Sequence, residues 1–279
     1  MKLKTFLLLT ALFMGITSLS AKTVRGNGKI VIKEISVPEY DEIEVNSQNI
    51  LYNNSNVSGL FRRNRASSGS LTFNYSQKDA PAFLQVGIDE NLLPHLKIKV
   101  EGKRLYVEAK DIQIQPTRME ITSHSKKIRS VSLIGSMDIN LIGYINSEIL
   151  DVNLAGSGDI KADDLIAANR INVYLKGSGD INLLNVSCNE LNGRVAGSGD
   201  IRFRGEALKG YYEVAGSGDL SAYDCPVTNL ECLVKGSGDI RANATGTLRA
   251  EVRGSGDIHY TGNASVNATV KGSGDITKR

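Results

Sequence analysis

The sequence predicts an all-β protein: a single-stranded parallel β-helix, or solenoid, with coils of about 20 residues. Three observations predict it. The tetrapeptide Gly-Ser-Gly-Asp begins at Gly156, Gly177, Gly197, Gly216, Gly236, Gly254 and Gly272, preceded by a degenerate copy at Gly135 in which Met137 replaces the second Gly. The spacings are nearly constant, at 21, 21, 20, 19, 20, 18 and 18 residues. Apolar residues alternate before each motif, as in Leu150, Val152, Leu154 and in Ile171, Val173, Leu175, and another follows every Asp, from Ile139 to Ile276. Alternation with period two marks a short strand of five residues or so with one buried face. A strand every ~20 residues leaves no room for a crossover helix, which excludes an α/β sheet. Leucine-rich repeats need a Leu/Asn consensus that is missing, and propeller blades need about twice the period. Stacked coils remain, with equivalent strands paired in parallel ~4.8 Å apart around a column of Ile, Leu and Val.

The 279 residues carry 33 Lys+Arg against 30 Asp+Glu, a net charge of +3 that is too balanced for an electrostatic nucleic-acid binder. Apolar content of 41% is enough for a core, and the shortage of His (3) and Trp (0) argues against most metal and stacked-ligand sites. Residues 1–20 read as a secretory signal peptide, with Lys2 and Lys4 ahead of a short apolar run and Ser18, Ser20 and Ala21 as small cleavage-site residues. The run falls short of the roughly 20 apolar residues of a membrane span. The mature chain has no transmembrane segment and is expected in the periplasm, at the cell surface or secreted.

Residues 40–130 are predicted to form N-terminal β strands and a cap, and residues 131–279 the coil array of the same domain. Tyr40, Ile43 and Val45 alternate within 41–46. Leu96, Ile98 and Val100, the turn Glu101-Gly102-Lys103, and Leu105, Val107 and Ala109 predict a hairpin. Met119, Ile121, Val131 and Leu133 carry the pattern into the degenerate copy. Between them, residues 53–81 are rich in Asn, Ser and Arg with few strand signals, and read as a surface excursion longer than most loops. Irregular terminal coils commonly cap a solenoid. The last motif is followed only by residues 276–279, and Lys278 and Arg279 discourage end-to-end pairing as edge charges do.

The glycine pairs (Gly156 and Gly158, Gly177 and Gly179, Gly197 and Gly199, Gly216 and Gly218, Gly236 and Gly238, Gly254 and Gly256, Gly272 and Gly274) are structural repeat positions. Two causes are open: glycines that point inward so that the opposite wall can approach, or a turn that requires positive φ. Either way Ser and Asp point outward in columns.

The combination of these coils, including Gly179-Asp180-Ile181-Asn182, with Asp89-Glu90-Asn91-Leu92-Leu93-Pro94 and the strands of 96–105, resembles the putative auto-transporter adhesin, head GIN-domain family of exported bacterial proteins. The match runs from about Tyr40 to Arg279. The resemblance implies an all-β, right-handed helical fold, an extracytoplasmic location and no named ligand. The chain departs from an auto-transporter in leaving no room for a C-terminal membrane barrel after the last coil.

Stacked acids repel by about 1 kcal/mol per neighbour in water at ~4.8 Å. Turn amides, with Lys176, Lys235, Arg253 and Lys271, are expected to offset this repulsion along the column that starts at Asp138. Calcium held by Asp159, Asp180, Asp200, Asp219, Asp239, Asp257 and Asp275 is the less favoured alternative, since calcium takes six to eight oxygens. No metal and no cofactor are therefore expected. Catalysis is not expected either: the acids repeat at equal offsets, His95, His124 and His259 follow no catalytic spacing, and Asp163-Asp164 reads as a solvated loop. Cys188, Cys225 and Cys232 match no zinc spacing; buried free thiols are favoured over a Cys225–Cys232 bridge. A rigid rod with outward columns suits binding. Arg62, Arg63 and Arg65 in the excursion suit acidic groups, and Tyr174 and Tyr211 suit sugars, whereas Tyr212 has inward parity. The reading is an exported, non-enzymatic, adhesin-like solenoid that recognises an envelope protein or glycan. The alternative is a cell-envelope scaffold that binds other envelope proteins or itself as a homo-oligomer.

Overall fold

The structure, a computed structural model, describes residues 22–51 and 71–279. The proposed signal peptide and Arg62, Arg63 and Arg65 lie outside the described residues. The chain is a β-solenoid of about seven turns. Equivalent residues pair in parallel from coil to coil. One inward column runs Val131, Val152, Val173, Gly193, Tyr212, Cys232, Ala250 and Ala268. A shift of one residue in any coil would expose its apolar set, so the alternation fixes this register.

The strands are longer than the five residues expected. Ile181–Val195, Ile201–Val214, Leu220–Val234 and Ile240–Val252 run from the apolar residue after one Asp to the residue near the next Gly. Each bends within its length, and register shifts mark the bends between Leu183 and Val186 and between Ala222 and Pro226. Pairing resumes in register on the far side of each bend, from Val186 with Gly205 and from Pro226 with Asn243. The polar residues at the bend hide this continuity from a period-two reading.

Ile139, Ile160, Ile181, Ile201, Leu220, Ile240 and Ile258 form a fully buried column beside the Gly-Ser-Gly-Asp corner. Each such side chain stabilises the fold by about 1.5–3 kcal/mol relative to exposure. The aromatic pair Phe203 and Tyr212, with ring centroids 5.8 Å apart, fills the middle of the core.

The N-terminal half joins the same stack out of chain order. Glu42–Asn46 pairs in parallel with Arg104–Ala109 on one side and with Ser130–Gly135 on the other. Leu71–Gln77 likewise lies between Met119–Ser125 and Asp138–Ile142. Strands Glu42–Asn46 and Leu71–Gln77 are therefore sandwiched between later strands and the start of the array. This corrects the last part of the excursion expected over 53–81, of which residues 53–70 lie outside the described residues: Leu71, Phe73 and Tyr75 are buried strand residues. Their alternation was masked by the polar residues around them.

Antiparallel strands cover this end. Leu96–Glu101 and Arg104–Ala109 form the predicted hairpin, with positive φ at Gly102 and Lys103. Two consecutive positive φ values match the twist of a tight hairpin. Phe83–Asp89 pairs antiparallel with both Met119–Ser125 and Ile30–Glu34. Buried Asp89 pins the cap: its carboxylate accepts the Gly28 amide at 2.7 Å, and the Thr117 amide and hydroxyl at 2.8 Å each.

Candidate functional site

The repeated corner has a structural cause that neither sequence alternative named. A Cβ on Gly177 would sit 2.1 Å from the Gly156 carbonyl oxygen, and one on Gly179 would sit 1.8 Å from that of Gly158. The missing side chains point along the solenoid axis, at the coil beneath, and not at the opposite wall. Positive φ occurs at Gly135 and Gly177 but at no other motif glycine, so a left-handed turn is not the general requirement. The close approach lets the Gly156 carbonyl accept two amides, from Ser178 at 2.8 Å and Gly179 at 3.2 Å. Met137 is tolerated in the first copy because the chain beneath it is different: there Ser47 Oγ accepts the Ser136 and Met137 amides at 2.9 and 3.0 Å.

The aspartates are wired to the same stack. Asp159 Oδ1 accepts the Asp180 amide at 3.0 Å, Asp180 Oδ1 the Asp200 amide at 2.9 Å and Asp200 Oδ1 the Asp219 amide at 2.8 Å; the series continues through Asp239 and Asp257 to Asp275. The countercharges differ from those expected. Lys235 pairs with Glu213, and Arg253 and Lys271 pair with Glu251. These bases stand on the strand face before the corner and reach glutamates there. The aspartates meet Lys161 at Asp159, and Arg241 at Asp219 and Asp239. Burial, the largest influence, raises the pKa of Asp138, and the repulsion from Asp159 adds to it against the Asp159 amide bond. Among the described residues no three His, Cys, Asp or Glu side chains converge as a metal site.

The face before the corner carries the most varied chemistry. Tyr174, Arg194 and Glu213 are stacked in register on successive coils. Tyr174 is 37% exposed, and the Arg194 guanidinium lies 5.8 Å from its ring centroid. Glu213 is held by Lys235 at 2.9 Å and by the Tyr211 hydroxyl at 2.8 Å, with Arg194 at 3.6 Å. Burial pushes the Glu213 pKa up, but the bonds from Lys235 and Tyr211 outweigh it, so the net shift is downward. Burial, then the bond to Glu213, pushes the Tyr211 hydroxyl up to about 12. Beside this row an amide ladder rises from Asp151 through Asn172 to Asn192, with bonds of 2.8 and 2.9 Å. Asn153, Asn172, Asn192, Tyr174, Arg194 and Tyr211 line a shallow groove of about 250 Å³. An exposed aromatic face beside fixed amides and a guanidinium can stack on a ligand and both donate and accept hydrogen bonds, while buried Glu213 holds Tyr211 and Lys235 in place.

Tyr174 and Tyr211 thus come together, as their sequence positions allowed. Arg194, Glu213 and the Asn172–Asn192 ladder were missed; their signal was the coil period itself, which puts residues 19–21 apart on one stripe. Tyr212 is fully buried, and its hydroxyl has no hydrogen-bond partner among the described residues. Cys188, Cys225 and Cys232 are free and buried, and no Cys225–Cys232 bridge forms. Burial pushes the thiols of Cys188 and Cys225 up to about 12 and that of Cys232 higher still. The histidines stay apart in local roles: His124 stacks on Phe83 at 5.2 Å, and His259 Nδ1 lies 2.7 Å from the Thr277 hydroxyl. Asp163 and Asp164 are exposed, and Asp164 accepts the Gly143 amide at 2.7 Å.

Among the described residues no helix is long and apolar enough to cross a membrane. No curated protein matches the chain. Several solved structures are similar to it. A putative lipid binding protein from Parabacteroides distasonis shares 31% identity at a TM-score of 0.81, covering 92% of this chain and 100% of that one. A putative adhesin from the same species shares 25% identity at a TM-score of 0.81, with coverage of 92% and 100%. A putative adhesin from Parabacteroides merdae shares 22% identity at a TM-score of 0.82, with coverage of 93% and 100%, which speaks to the fold alone. A sequence model of one family matches residues 66–183 and again 148–264, and its overlapping placement follows the repeat. The chain belongs to that family, described as putative auto-transporter adhesin, head GIN domain.

Proposed function

We propose that this protein is exported and acts without catalysis, by recognising a sugar-bearing or protein ligand of the cell envelope or the extracellular space. The observation that carries this reading is the exposed pair Tyr174 and Arg194 with Tyr211 beside it, anchored from below by buried Glu213. Rigid aromatic and amide groups lose little conformational entropy on binding, which favours recognition over chemistry. The adhesin name of one solved relative supports the class of function, and the lipid-binding name of another adds lipid to the ligands to be tested. The test is a glycan array and an envelope pull-down with the mature chain, repeated with Tyr174→Ala and with Arg62, Arg63 and Arg65 changed to Ala. Binding that Tyr174→Ala abolishes supports this face; binding lost only with the arginines moves the site to residues 62–65.

The scaffold reading rests on a different observation. Strand Ser265–Val270 is exposed along its whole length, with Val266 and Val270 at 37% and 49% exposure, and among the described residues it pairs only with Ile240–Val252. An exposed edge strand is a template for another chain. Concentration-dependent association that Val266→Lys abolishes would favour this second reading.

A further inference from the structure

We propose a separate binding site for one extended, uncharged polysaccharide strand, in the trough that runs along the solenoid axis over the strand bends. It goes beyond the Tyr174 face and uses none of its residues. In each coil the strand turns between two inward side chains, such as Ile145 and Leu150, Ile166 and Ile171, or Val186 and Leu191. The middle of the bend is small in every case, and the register aligns Ser147, Ala168, Cys188 and Ala207 into one floor. The result is a continuous trough of about 700 Å³ reaching from Asn146 to Thr245. It crosses six coils, or roughly 24 Å at ~4.8 Å per step.

The lining selects the ligand chemistry. On one wall Asn169 donates to Glu148 at 3.0 Å and Asn189 donates to Asn169 at 2.8 Å, a ladder of amides with fixed orientation. Ser187 and Glu206 stand on the other wall. Neither Lys nor Arg lines the trough, while the carboxylates of Glu148 and Glu206 do, so a polyanion is repelled. Past one end, a hollow of about 500 Å³ beside Lys126, Lys127 and Arg129 opens from Asn146 and Ser147. Leu208, 56% exposed, stands in the lining, but the amides beside it would lose water without a partner under an acyl chain. An extended peptide meets no open sheet edge along the floor, because Ser147, Ala168, Cys188 and Ala207 already pair from coil to coil. A chain of hydroxyls meets both needs, donating to the carboxylates and amide oxygens and accepting from the amide N–H groups. A site that repeats coil by coil gains affinity from a ligand that also repeats, each further contact being intramolecular.

The experiment is a calorimetric titration of the mature protein with neutral glucan and mannan oligosaccharides, from monosaccharide to octasaccharide. Affinity is expected to rise with chain length, by about tenfold or more between disaccharide and hexasaccharide. Ala167→Arg, which obstructs the trough, and Asn189→Ala, which removes one amide, are expected to weaken the longest ligand by about tenfold each. Tyr174→Ala should leave that binding unchanged, and thermal unfolding should show that both trough variants are folded. The proposal is overturned by an absence of binding across both series, by affinity independent of length, by indifference to both trough variants, or by phospholipid vesicles occupying the trough instead.

Discussion

Gly193 and Phe203 lie on successive coils, and the ring of one occupies the space a side chain on the other would need: a Cβ on Gly193 would stand 2.8 Å from Phe203 Cε2. The same Cβ would meet Leu220 Cδ1 at 2.8 Å. Gly193 interrupts an inward column that is otherwise Val, Tyr, Cys or Ala, and the interruption is what admits the Phe203–Tyr212 pair. Gly193→Val should therefore destabilise the protein by overpacking, at about 1–3 kcal/mol. Phe203→Leu in the same chain should recover part of that loss. Denaturant midpoints of the single and double variants check this; additive losses would mean that the two sites do not share the space.

The aspartate column predicts a graded response to substitution. Asp180→Asn retains an oxygen to accept the Asp200 amide, whereas Asp180→Ala leaves that amide without its acceptor. The alanine variant should lose about 1 kcal/mol more than the asparagine variant. Because the carboxylates are already engaged by amides, millimolar calcium and chelator should leave the melting temperature of the wild type nearly unchanged. A rise of many degrees in calcium, reversed by chelation, would show instead that the column is a metal site.

Glu213 sets a pH dependence. Its folded-state pKa lies below the ordinary value of 4.5, since the bonds from Lys235 and Tyr211 outweigh burial. The unfolded chain therefore takes up the proton first as pH falls, and the stabilisation from the anion, complete above 4.5, drains away below it. Thermal melts from neutral pH to below 4 should show a decline that is shallower in Glu213→Gln. That variant should also be less stable at neutral pH, because Lys235 and Arg194 lose their shared partner. Equal acid slopes in the two proteins would remove Glu213 from the account.

The thiols give a redox prediction. With Cys188, Cys225 and Cys232 free and buried, reductant should leave the melting temperature unchanged, and a thiol reagent should label the native protein far more slowly than the unfolded one. Burial raises the pKa of all three, which keeps the reactive thiolate scarce near neutral pH. Rapid labelling of the native chain would show that these strands open readily.

The sequence by itself determined the coil period, the inward column from Ile139 to Ile258, the hairpin at Gly102-Lys103 and the inward parity of Tyr212, because each is written in local spacing or alternation. Tertiary structure alone decided that strands Glu42–Asn46 and Leu71–Gln77 lie between Arg104–Ala109 and Met119–Ser125 on one side and the start of the array on the other, since the order of stacking depends on which edges meet in space. It also decided why the corner glycines are needed, because the atom that excludes a Cβ at Gly179 belongs to Gly158, a full coil away. The partners of Lys235, Arg253 and Lys271 were decided in the same way, by the side chains that neighbouring coils place within reach. Local sequence reports what a residue prefers, and only the neighbouring coil reports what it touches.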